Sequence, residues 1–385
     1  TLRRRMDLTG GAFLTLVAGL AIAAAALTVV FWPRLSAQRP LPVLGRIGAL
    51  LGLNLLVLAT VGLVANDVFG FFADWTDLGG AFATTPPAAH TTQGGETANA
   101  AAQTRVLGSA LPRPPRHLPP LPKEAAADHV YTFTVSGPVS HVTGKVVVRL
   151  PPGYGDPKQA GRRYPVIETF HGYPGRPSQW LTAMALGEVL DEEAALHRMA
   201  PTIVLAPQLE IPPGRDTECV DASGDAMETW LTTDVPDWAA RTLRVRLDRA
   251  SWATAGLSAG GWCAAMAALL HPARYGSTMI FGGYFRPSFG SGYVPFPPDS
   301  PEGRRYDLVD LARRYPPPVA IWMETSHSDK ISYTSSTAFL KAVRPPLSVR
   351  LLEFAHAGHS ILLWAPLVPQ AVQWLETIGG FRAGP

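Results

Sequence analysis

The chain has 385 residues, a formal net charge of +3 and two cysteines. This length allows one large domain with additions, or two ordinary domains. Its lysines and arginines form no long basic run, which argues against a nucleic-acid-binding protein. Two cysteines are too few for a scaffold built on disulfides.

Two apolar segments near the N-terminus predict transmembrane helices. Residues 11–32 carry no charge, and residues 47–65 contain Asn54 as their only strongly polar side chain. A helix of that length reaches about 30 Å, enough to cross the hydrocarbon core of a bilayer. A cleaved signal peptide is the alternative for the first segment, but its apolar part is too long and a second span follows.

The charges between the two segments predict their orientation. Arg34, Arg39 and Arg46 lie there without any acidic residue, so the positive-inside rule favours a cytoplasmic loop and an extracytoplasmic C-terminal part. The arginines at residues 3–5 argue the other way, unless Met6 is the true first residue.

Composition then divides the rest of the chain. The aromatic residues of 66–80 are typical of a membrane interface, and the proline-rich stretch 111–123 predicts an extended spacer. We therefore expect a membrane anchor over 1–72, an interfacial segment and Pro/Ala-rich linker over 73–125, and a catalytic domain over 126–385.

In the C-terminal part, short apolar strands alternate with helical patterns, which indicates a mostly parallel sheet with helices on both faces. Strands are predicted over 130–137, 144–151, 164–172, 201–208, 250–256, 277–283, 318–325 and 347–355. Helices are predicted over 180–199, 226–243, 262–270 and 366–381. Chemistry in such folds lies at the carboxyl ends of the strands.

One motif at such a strand end predicts a nucleophile. Gly256-Leu257-Ser258-Ala259-Gly260 fits G-x-S-x-G, the nucleophile elbow, in which a sharp turn presents a serine before a helix. The alternative is an ordinary turn. A preceding strand and a following helix favour the elbow. The N–H groups at the start of that helix would point at the negative charge that develops during a reaction at the serine.

A nucleophilic serine needs a histidine base, which in turn needs an orienting carboxylate. In the order expected downstream, Asp329 follows a strand and His359 lies in the loop after the last strand. Glu324 is the alternative acid and His356 the rival base. A metal site at His356-x-x-His359 lacks a supporting Cys or acid cluster, so no metal and no cofactor is predicted.

The oxyanion hole requires two backbone N–H donors. We expect them from Ala259, directly after the nucleophile, and from Tyr173 in the loop 170–180, although a plain glycine turn is the alternative for that loop. Cys219 and Cys263 would form one disulfide in an oxidising compartment and two buried thiols otherwise; the sequence leaves both open.

Over about residues 130–380, four motifs in this order resemble a known group: "LPPGY", "ETFHGYPG", "GLSAGGW" and "AGHSILLW". The chain is similar to the α/β-hydrolase family named Putative esterase, which includes esterase D-type enzymes and the antigen 85 mycolyltransferases. The resemblance implies an α/β-hydrolase fold, with Ser258 as nucleophile, His359 as base and Asp329 as acid. It places the oxyanion donors on the two residues named above. Antigen 85 proteins carry a glutamate in the acid loop, where this chain has Asp329.

The N-terminus resembles membrane-anchored actinobacterial members of that family. The sequence thus predicts a membrane-anchored serine esterase or acyltransferase acting on small-molecule or lipid-like esters. The alternative is a catalytically inactive binding protein of the cell envelope on the same fold. An irregular insertion at 285–303 would line an acyl or polymer groove, or else pack as an ordinary loop. The sequence leaves open whether the protein hydrolyses its ester or transfers the acyl group, which ester is the natural substrate, and what the oligomeric state is.

Overall fold

A computed structural model describes residues 8, 11–80, 89–92, 111–122, 129–222, 224–290 and 293–384. The chain divides into two compact units. The N-terminal unit comprises Thr1–Pro87, Ser326–Lys330 and Ala355–Leu363. The sheet unit comprises Ala88–Thr325, Ile331–Phe354 and Trp364–Pro385. The predicted nucleophile therefore belongs to the sheet unit, and the loops of the predicted acid and base belong to the N-terminal unit.

The N-terminal unit contains three helices, α1 (Gly11–Phe31), α2 (Pro40–Phe69) and α3 (Trp75–Gly80), with a 3₁₀ turn at Trp32–Leu35. Helix α2 begins well before the predicted residue 47, because Pro40 in its first turn is pre-organised for a helix start. It ends at Gly70, whose φ of 64° is the left-handed conformation that closes many helices.

The two long helices carry apolar side chains that are exposed along their length, such as Ile22, Leu41 and Leu55. Gly11–Leu35 and Pro40–Phe69 are long and apolar enough to cross a membrane. Four polar side chains along these helices, those of Thr15, Thr28, Asn54 and Thr60, donate to carbonyls one turn earlier in the same helix; the amide of Asn54 donates to the carbonyl of Leu50 at 2.9 Å. Internal pairing of this kind is what a helix in hydrocarbon requires.

The sheet unit is built on a nine-stranded mixed sheet. The strands are β1 (Ala89–Thr92), β2 (Val130–Ser136), β3 (Thr143–Arg149), β4 (Val166–Phe170), β5 (Ile203–Pro207), β8 (Trp252–Leu257), β9 (Ser277–Phe281), β10 (Ala320–Ser326) and β11 (Ser348–Phe354). Their order across the sheet is β1-β11-β10-β9-β8-β4-β5-β3-β2. Strands β10, β9, β8, β4 and β5 run parallel to one another, whereas β5/β3, β3/β2 and β1/β11 are antiparallel pairs. A small antiparallel ribbon pairs β6 (Asp221–Ala222) with β7 (Asp225–Ala226).

Two features lie within the stretch predicted as a linker. Strand β1 pairs with β11 at the edge of the sheet. Residues 111–122 form no regular secondary structure, yet the Leu111 side chain is buried in the core of the sheet unit. The predicted domain boundary at residue 126 stays a prediction.

The helices of the sheet unit are α4 (Gln179–Thr182), α5 (Leu186–Ala195), α6 (Met227–Thr229), α7 (Val235–Thr242), α8 (Ala259–Leu270), α9 (Pro301–Arg305), α10 (Leu308–Arg314), α11 (Tyr333–Ala342), α12 (Ile361–Trp364) and α13 (Val368–Glu376), α12 straddling the boundary with the N-terminal unit. The helix predicted over 226–243 is interrupted by a π-helical turn at Trp230–Asp234. Pro236 lies two residues after Asp234, and its missing N–H cannot continue the regular hydrogen-bond ladder.

The core explains the continuous apolar runs of the sequence. Every residue of β4, β5, β8 and β9 is buried, as expected of strands covered on both faces. One ionisable residue lies among them: Glu168 of β4 accepts a hydrogen bond from the Tyr275 hydroxyl at 2.6 Å. Burial raises the pKa of Glu168 to about 8.

Candidate active site

Ser258 lies at the turn between β8 and α8, in a backbone conformation that is costly for a residue with a side chain. Its φ is 57° and its ψ is −124°, a sparsely populated region that costs about 1–3 kcal/mol. The surrounding hydrogen bonds hold it there. The Ser258 N–H donates to the carbonyl of Phe281 at 2.8 Å, and its carbonyl accepts from Gly261 N–H at 2.8 Å.

The two outer glycines of the motif are required by close backbone approach. A Cβ on Gly256 would lie 1.8 Å from the carbonyl oxygen of Gly260. A Cβ on Gly260 would lie 2.2 Å from the carbonyl oxygen of Phe170, at the end of β4. Any side chain at either position would push the strand and the helix apart, so the turn that presents Ser258 depends on both glycines.

The loop after β4 lies beside this turn, as predicted for an oxyanion loop. A Cβ built on Gly172 would lie 3.4 Å from the Cβ of Ser258. Tyr173 and Ala259 both line a small cavity of about 10 Å³, a volume on the order of one water molecule or one oxygen atom. The sequence predicted these two residues as oxyanion donors, and they line the same small space.

His171 fixes the direction of one of these donors. Its Nε2 accepts the Leu209 N–H at 3.2 Å, so its Nδ1 carries the proton and donates to the Gly172 carbonyl at 2.8 Å. Burial lowers the pKa of His171, which favours this neutral form. Since a peptide unit is planar, a fixed Gly172 carbonyl also fixes the opposite-facing Tyr173 N–H.

A disulfide ties the nucleophile helix to a neighbouring loop. Cys219 and Cys263 are bonded, with their Cα atoms 5.7 Å apart, which resolves the alternative that the sequence left open. Cys263 lies on α8, in the second turn after Ser258. Next to Cys219, the Glu218 carboxylate accepts hydrogen bonds from the Tyr284 hydroxyl at 2.6 Å and from Ser288 N–H at 3.1 Å.

Glu324, the alternative acid, is buried in β10. Its carboxylate accepts the N–H of Gly282 at 2.5 Å. Gly282 follows Phe281, whose carbonyl holds the Ser258 N–H. Glu324 therefore supports the backbone behind the nucleophile turn.

In the N-terminal unit, the predicted acid and base are in direct contact. Oδ2 of Asp329 lies 2.9 Å from Nδ1 of His359, and both side chains are buried. An ionised carboxylate only accepts hydrogen bonds, so Nδ1 carries the proton and Nε2 keeps the lone pair that a general base needs. This is the tautomer that a Ser-His-Asp mechanism requires.

Ser326 joins the loop of the acid to the loop of the base. Its hydroxyl donates to the Ala357 carbonyl at 2.9 Å and accepts the Ala357 N–H at 3.0 Å. His356, the rival base, is exposed, as is His327 beside the acid loop. In the part of the chain that the structure describes, no group of three or more His, Cys, Asp or Glu side chains could hold a metal ion.

The insertion at 285–303 lines a cavity of about 520 Å³ in the sheet unit. Phe289 and Phe296 contribute aromatic surface to it, with their ring centroids 5.3 Å apart in an edge-to-face contact. Arg286 and Arg304 also line the cavity. An acyl or polymer groove at this place stays a prediction.

Sequence reasoning missed three supporting residues: His171, Ser326 and Asp77, whose carboxylate accepts the Gly358 N–H at 2.7 Å. The signal for His171 was present, because it directly precedes the glycine of the predicted oxyanion loop. No sequence pattern joins Asp77 to Gly358, since 281 residues separate them.

The sheet order and the strand-turn-helix at Ser258 define the class of the protein, which has the α/β-hydrolase fold. The chain belongs to the family described as Putative esterase, whose family model matches residues 143–360. The resemblance inferred from the motifs is thereby confirmed, and so is the predicted fold class.

Solved structures of other proteins with the same fold align with this chain over nearly all of their own length. A ferulic acid esterase aligns with a TM-score of 0.54 at 20% identity, over 65% of this chain and 97% of its own. An S-formylglutathione hydrolase from Agrobacterium tumefaciens gives a TM-score of 0.53 at 16% identity, over 68% and 98%. FphF, a fluorophosphonate-binding serine hydrolase from Staphylococcus aureus, gives 0.53 at 13% identity, over 64% and 98%. At these identities the likeness shows the fold.

A protein of Corynebacterium glutamicum described as uncharacterized is 32% identical over 142 residues. That segment is 37% of this chain and 33% of the relative. The match thus spans about one third of the relative's length.

Proposed function

We propose that the protein is a membrane-anchored serine esterase or acyltransferase that acts on carboxylic esters through Ser258, His359 and Asp329. The observation that carries the proposal is that one chain holds both a strained serine in a nucleophile-elbow turn and, in its N-terminal unit, a buried histidine whose Nδ1 is bonded to a carboxylate. Strain of this kind is retained where it serves a function.

The proposed reaction has two halves. The Ser258 hydroxyl oxygen bonds to the ester carbonyl carbon while its proton passes to Nε2 of His359. The tetrahedral oxyanion accepts hydrogen bonds from the N–H groups of Tyr173 and Ala259. Collapse breaks the bond to the leaving alcohol, which takes the proton from His359, and leaves an acyl-enzyme. Water then completes hydrolysis, whereas a second alcohol completes transfer.

Anchoring and orientation are part of the same proposal. Two helices have the length and composition of membrane spans, and their apolar side chains are exposed. The Cys219–Cys263 disulfide supports an extracytoplasmic catalytic part, because disulfides persist in oxidising compartments. The arginines at 34, 39 and 46 favour the same orientation.

The experiment uses the intact chain in detergent, because the loops of Asp329 and His359 belong to the N-terminal unit. Hydrolysis of p-nitrophenyl esters of increasing acyl length is compared between the wild type and Ser258→Ala. Ser136→Ala, on the edge strand β2, is the matched control. We expect Ser258→Ala to lose at least about 10⁴-fold in kcat, and Ser136→Ala to keep wild-type turnover.

A fluorophosphonate probe provides an independent measurement. Intact mass should show one adduct on the wild type and none on Ser258→Ala. Equal turnover of the two proteins, or an unlabelled wild type, would contradict the proposal and favour a binding protein on an inactive hydrolase fold. Adding an acceptor alcohol and measuring the ester formed distinguishes transfer from hydrolysis.

A further inference from the structure

We propose that the segment following the second apolar helix, residues 66–80, is a positioning element for the catalytic base, with Asp77 as its central side chain. We call residues 66–80 the collar. This inference rests on the proposed function, because it assigns to the collar the placement of His359. The collar would then be part of the active site as well as a connection to the membrane helices.

The collar begins with a closed turn at the end of α2. The side chain of Asn66 donates to the Phe72 carbonyl at 3.0 Å and accepts the Phe72 N–H at 2.7 Å. Asn66 is only 5% exposed, so water competes little for these bonds. The paired bonds hold Gly70 and its carbonyl in a defined position between them.

The first contact with the base loop is made by that carbonyl. Gly70 accepts the backbone N–H of His359 at 2.7 Å. The proposed base is therefore bonded through its own backbone to the residue that ends the second apolar helix. Its side chain is held separately by Asp329.

The second contact is made by Asp77. Its Oδ2 accepts the N–H of Gly358 at 2.7 Å and the N–H of Ala73 at 2.8 Å. Bonds from backbone N–H groups to a carboxylate are stronger than neutral ones. Burial raises the pKa of Asp77, while these two N–H groups oppose the rise.

The packing around Gly358 leaves no room for a side chain. A Cβ on Gly358 would lie 2.3 Å from the carbonyl oxygen of Phe71 and 2.8 Å from Oδ2 of Asp77. The collar therefore holds two successive N–H groups of the base loop, those of Gly358 and His359. Because a displacement of about 1 Å costs an enzyme on the order of 10²-fold in rate, the position of this loop should set kcat.

The test compares Asp77→Ala, Asp77→Asn and Asp156→Ala in the intact chain. Asp156 lies outside the collar, in the sheet unit, and is the matched control, because its exposed carboxylate accepts the local N–H of Lys158 at 2.9 Å at the start of a 3₁₀ turn. Initial rates with a p-nitrophenyl ester give kcat and KM. Fluorophosphonate labelling gives both the rate of Ser258 modification and the number of reactive sites per chain.

We expect Asp77→Ala to lower kcat by about 10–100-fold, with KM nearly unchanged and the labelling rate reduced in parallel. Asp77→Asn should be intermediate, because its amide oxygen can still accept the two N–H groups. Asp156→Ala should stay within about threefold of wild type. A full labelling endpoint in each variant shows that the loss is in rate and that the protein is folded.

Wild-type kcat per labelled site in Asp77→Ala would overturn the inference, as would an equal loss in Asp156→Ala. If Asp77→Ala does not fold, Asn66→Ala tests the same collar through the turn that presents Gly70, and unchanged kcat there overturns the inference. Wild-type turnover in Ser258→Ala would instead remove the proposed function itself, so the two failures are distinguishable.

Discussion

The proposed nucleophile, Ser258, and the proposed base, His359, are supported in different ways. Ser258 is held by its own neighbourhood: glycines two residues to either side, the adjoining strands β4 and β9, and a disulfide on the helix that follows. His359 is held by side chains and carbonyls from distant parts of the chain, with Asp329 on one side and the collar on the other. Both cysteines of the chain belong to the sheet unit, so no disulfide can restrain the base loop.

A candidate catalytic residue on a short motif can therefore be found from sequence, whereas its proposed partner is held by contacts that sequence does not mark. The same difference predicts where substitutions will act. Changes around Ser258 should alter stability together with activity. Changes around His359 should alter kcat with little effect on the sheet unit.

After Ser258→Ala, the largest expected effect comes from the proposed acid, Asp329. Asp329→Asn should lower kcat/KM by about 10³–10⁴-fold, because an amide permits the wrong tautomer of His359. Glu324→Gln keeps an acceptor for the Gly282 N–H and should change kcat/KM less than about tenfold. The measurement is ester hydrolysis over a range of pH. A larger loss in Glu324→Gln than in Asp329→Asn would reassign the acid.

The disulfide should give the next largest effect, on stability. A double variant, Cys219→Ala with Cys263→Ala, should lose about 4 kcal/mol of unfolding free energy, since the bond closes a loop of 44 residues. Urea titration followed by tryptophan fluorescence measures the loss. Reducing the wild type should reproduce it, and reductant should leave the double variant unchanged. An unaltered urea midpoint in the double variant would show that the disulfide does not stabilise the part of the fold that holds Ser258.

Glu168 should make the stability of the sheet unit depend on pH. Burial raises its pKa from 4.5 to about 8, so the folded state binds this proton more tightly than the unfolded chain. Its contribution to stability is full below pH 4.5 and is lost as the pH rises through about 8. Between pH 5.5 and 7.5 the unfolding free energy should fall by about 2–3 kcal/mol.

Glu168→Gln, which cannot titrate, should flatten this dependence, as measured by urea unfolding at several pH values. It should keep the Tyr275 hydroxyl bonded through its amide oxygen. Parallel pH curves for the two proteins would show that Glu168 does not titrate in this range.

The smallest expected effect comes from His171. His171→Asn places an amide N–H near the position of Nδ1 and should keep the bond to the Gly172 carbonyl. His171→Gln reaches the position of Nε2 instead and should lose it. We expect His171→Gln to lower kcat by about tenfold, a part of what removing one oxyanion donor costs, and His171→Asn to stay near wild type. Equal kcat values would argue against a positioning role for His171.

Much of the fold was predictable because its signals are local. Every strand predicted by an apolar run is present, since β4, β8 and β9 are buried on both faces and must be apolar throughout. Strand β1 was missed: its sequence, Ala-His-Thr-Thr, carries no apolar alternation, and it pairs only because β11 offers an edge. The helix predicted over 180–199 was wrong in continuity, because Ala185 adopts a left-handed conformation between α4 and α5. The helix predicted over 226–243 is present from Met227 to Thr242, with a π-helical turn at Trp230–Asp234.

For the candidate site, sequence order was enough to propose Ser258, Asp329 and His359, and the structure brings the last two into contact. The supporting residues were not predictable for a physical reason. A carboxylate that accepts a backbone N–H leaves no pattern, because any residue offers that N–H. The disulfide was undecided for a similar reason, since spacing along the chain does not determine the 5.7 Å between the Cα atoms of Cys219 and Cys263.

The bond between the Gly70 carbonyl and the His359 N–H has a practical consequence for preparing the enzyme. Anchored enzymes are commonly trimmed of their hydrophobic leader to make them water-soluble. A fragment starting after residue 80 would lack the acceptors for two consecutive amides beside the imidazole, and solvent would have to replace them. Low turnover of such a fragment would follow from the trimming itself, and adding back a peptide spanning residues 66–80 should recover part of the lost rate.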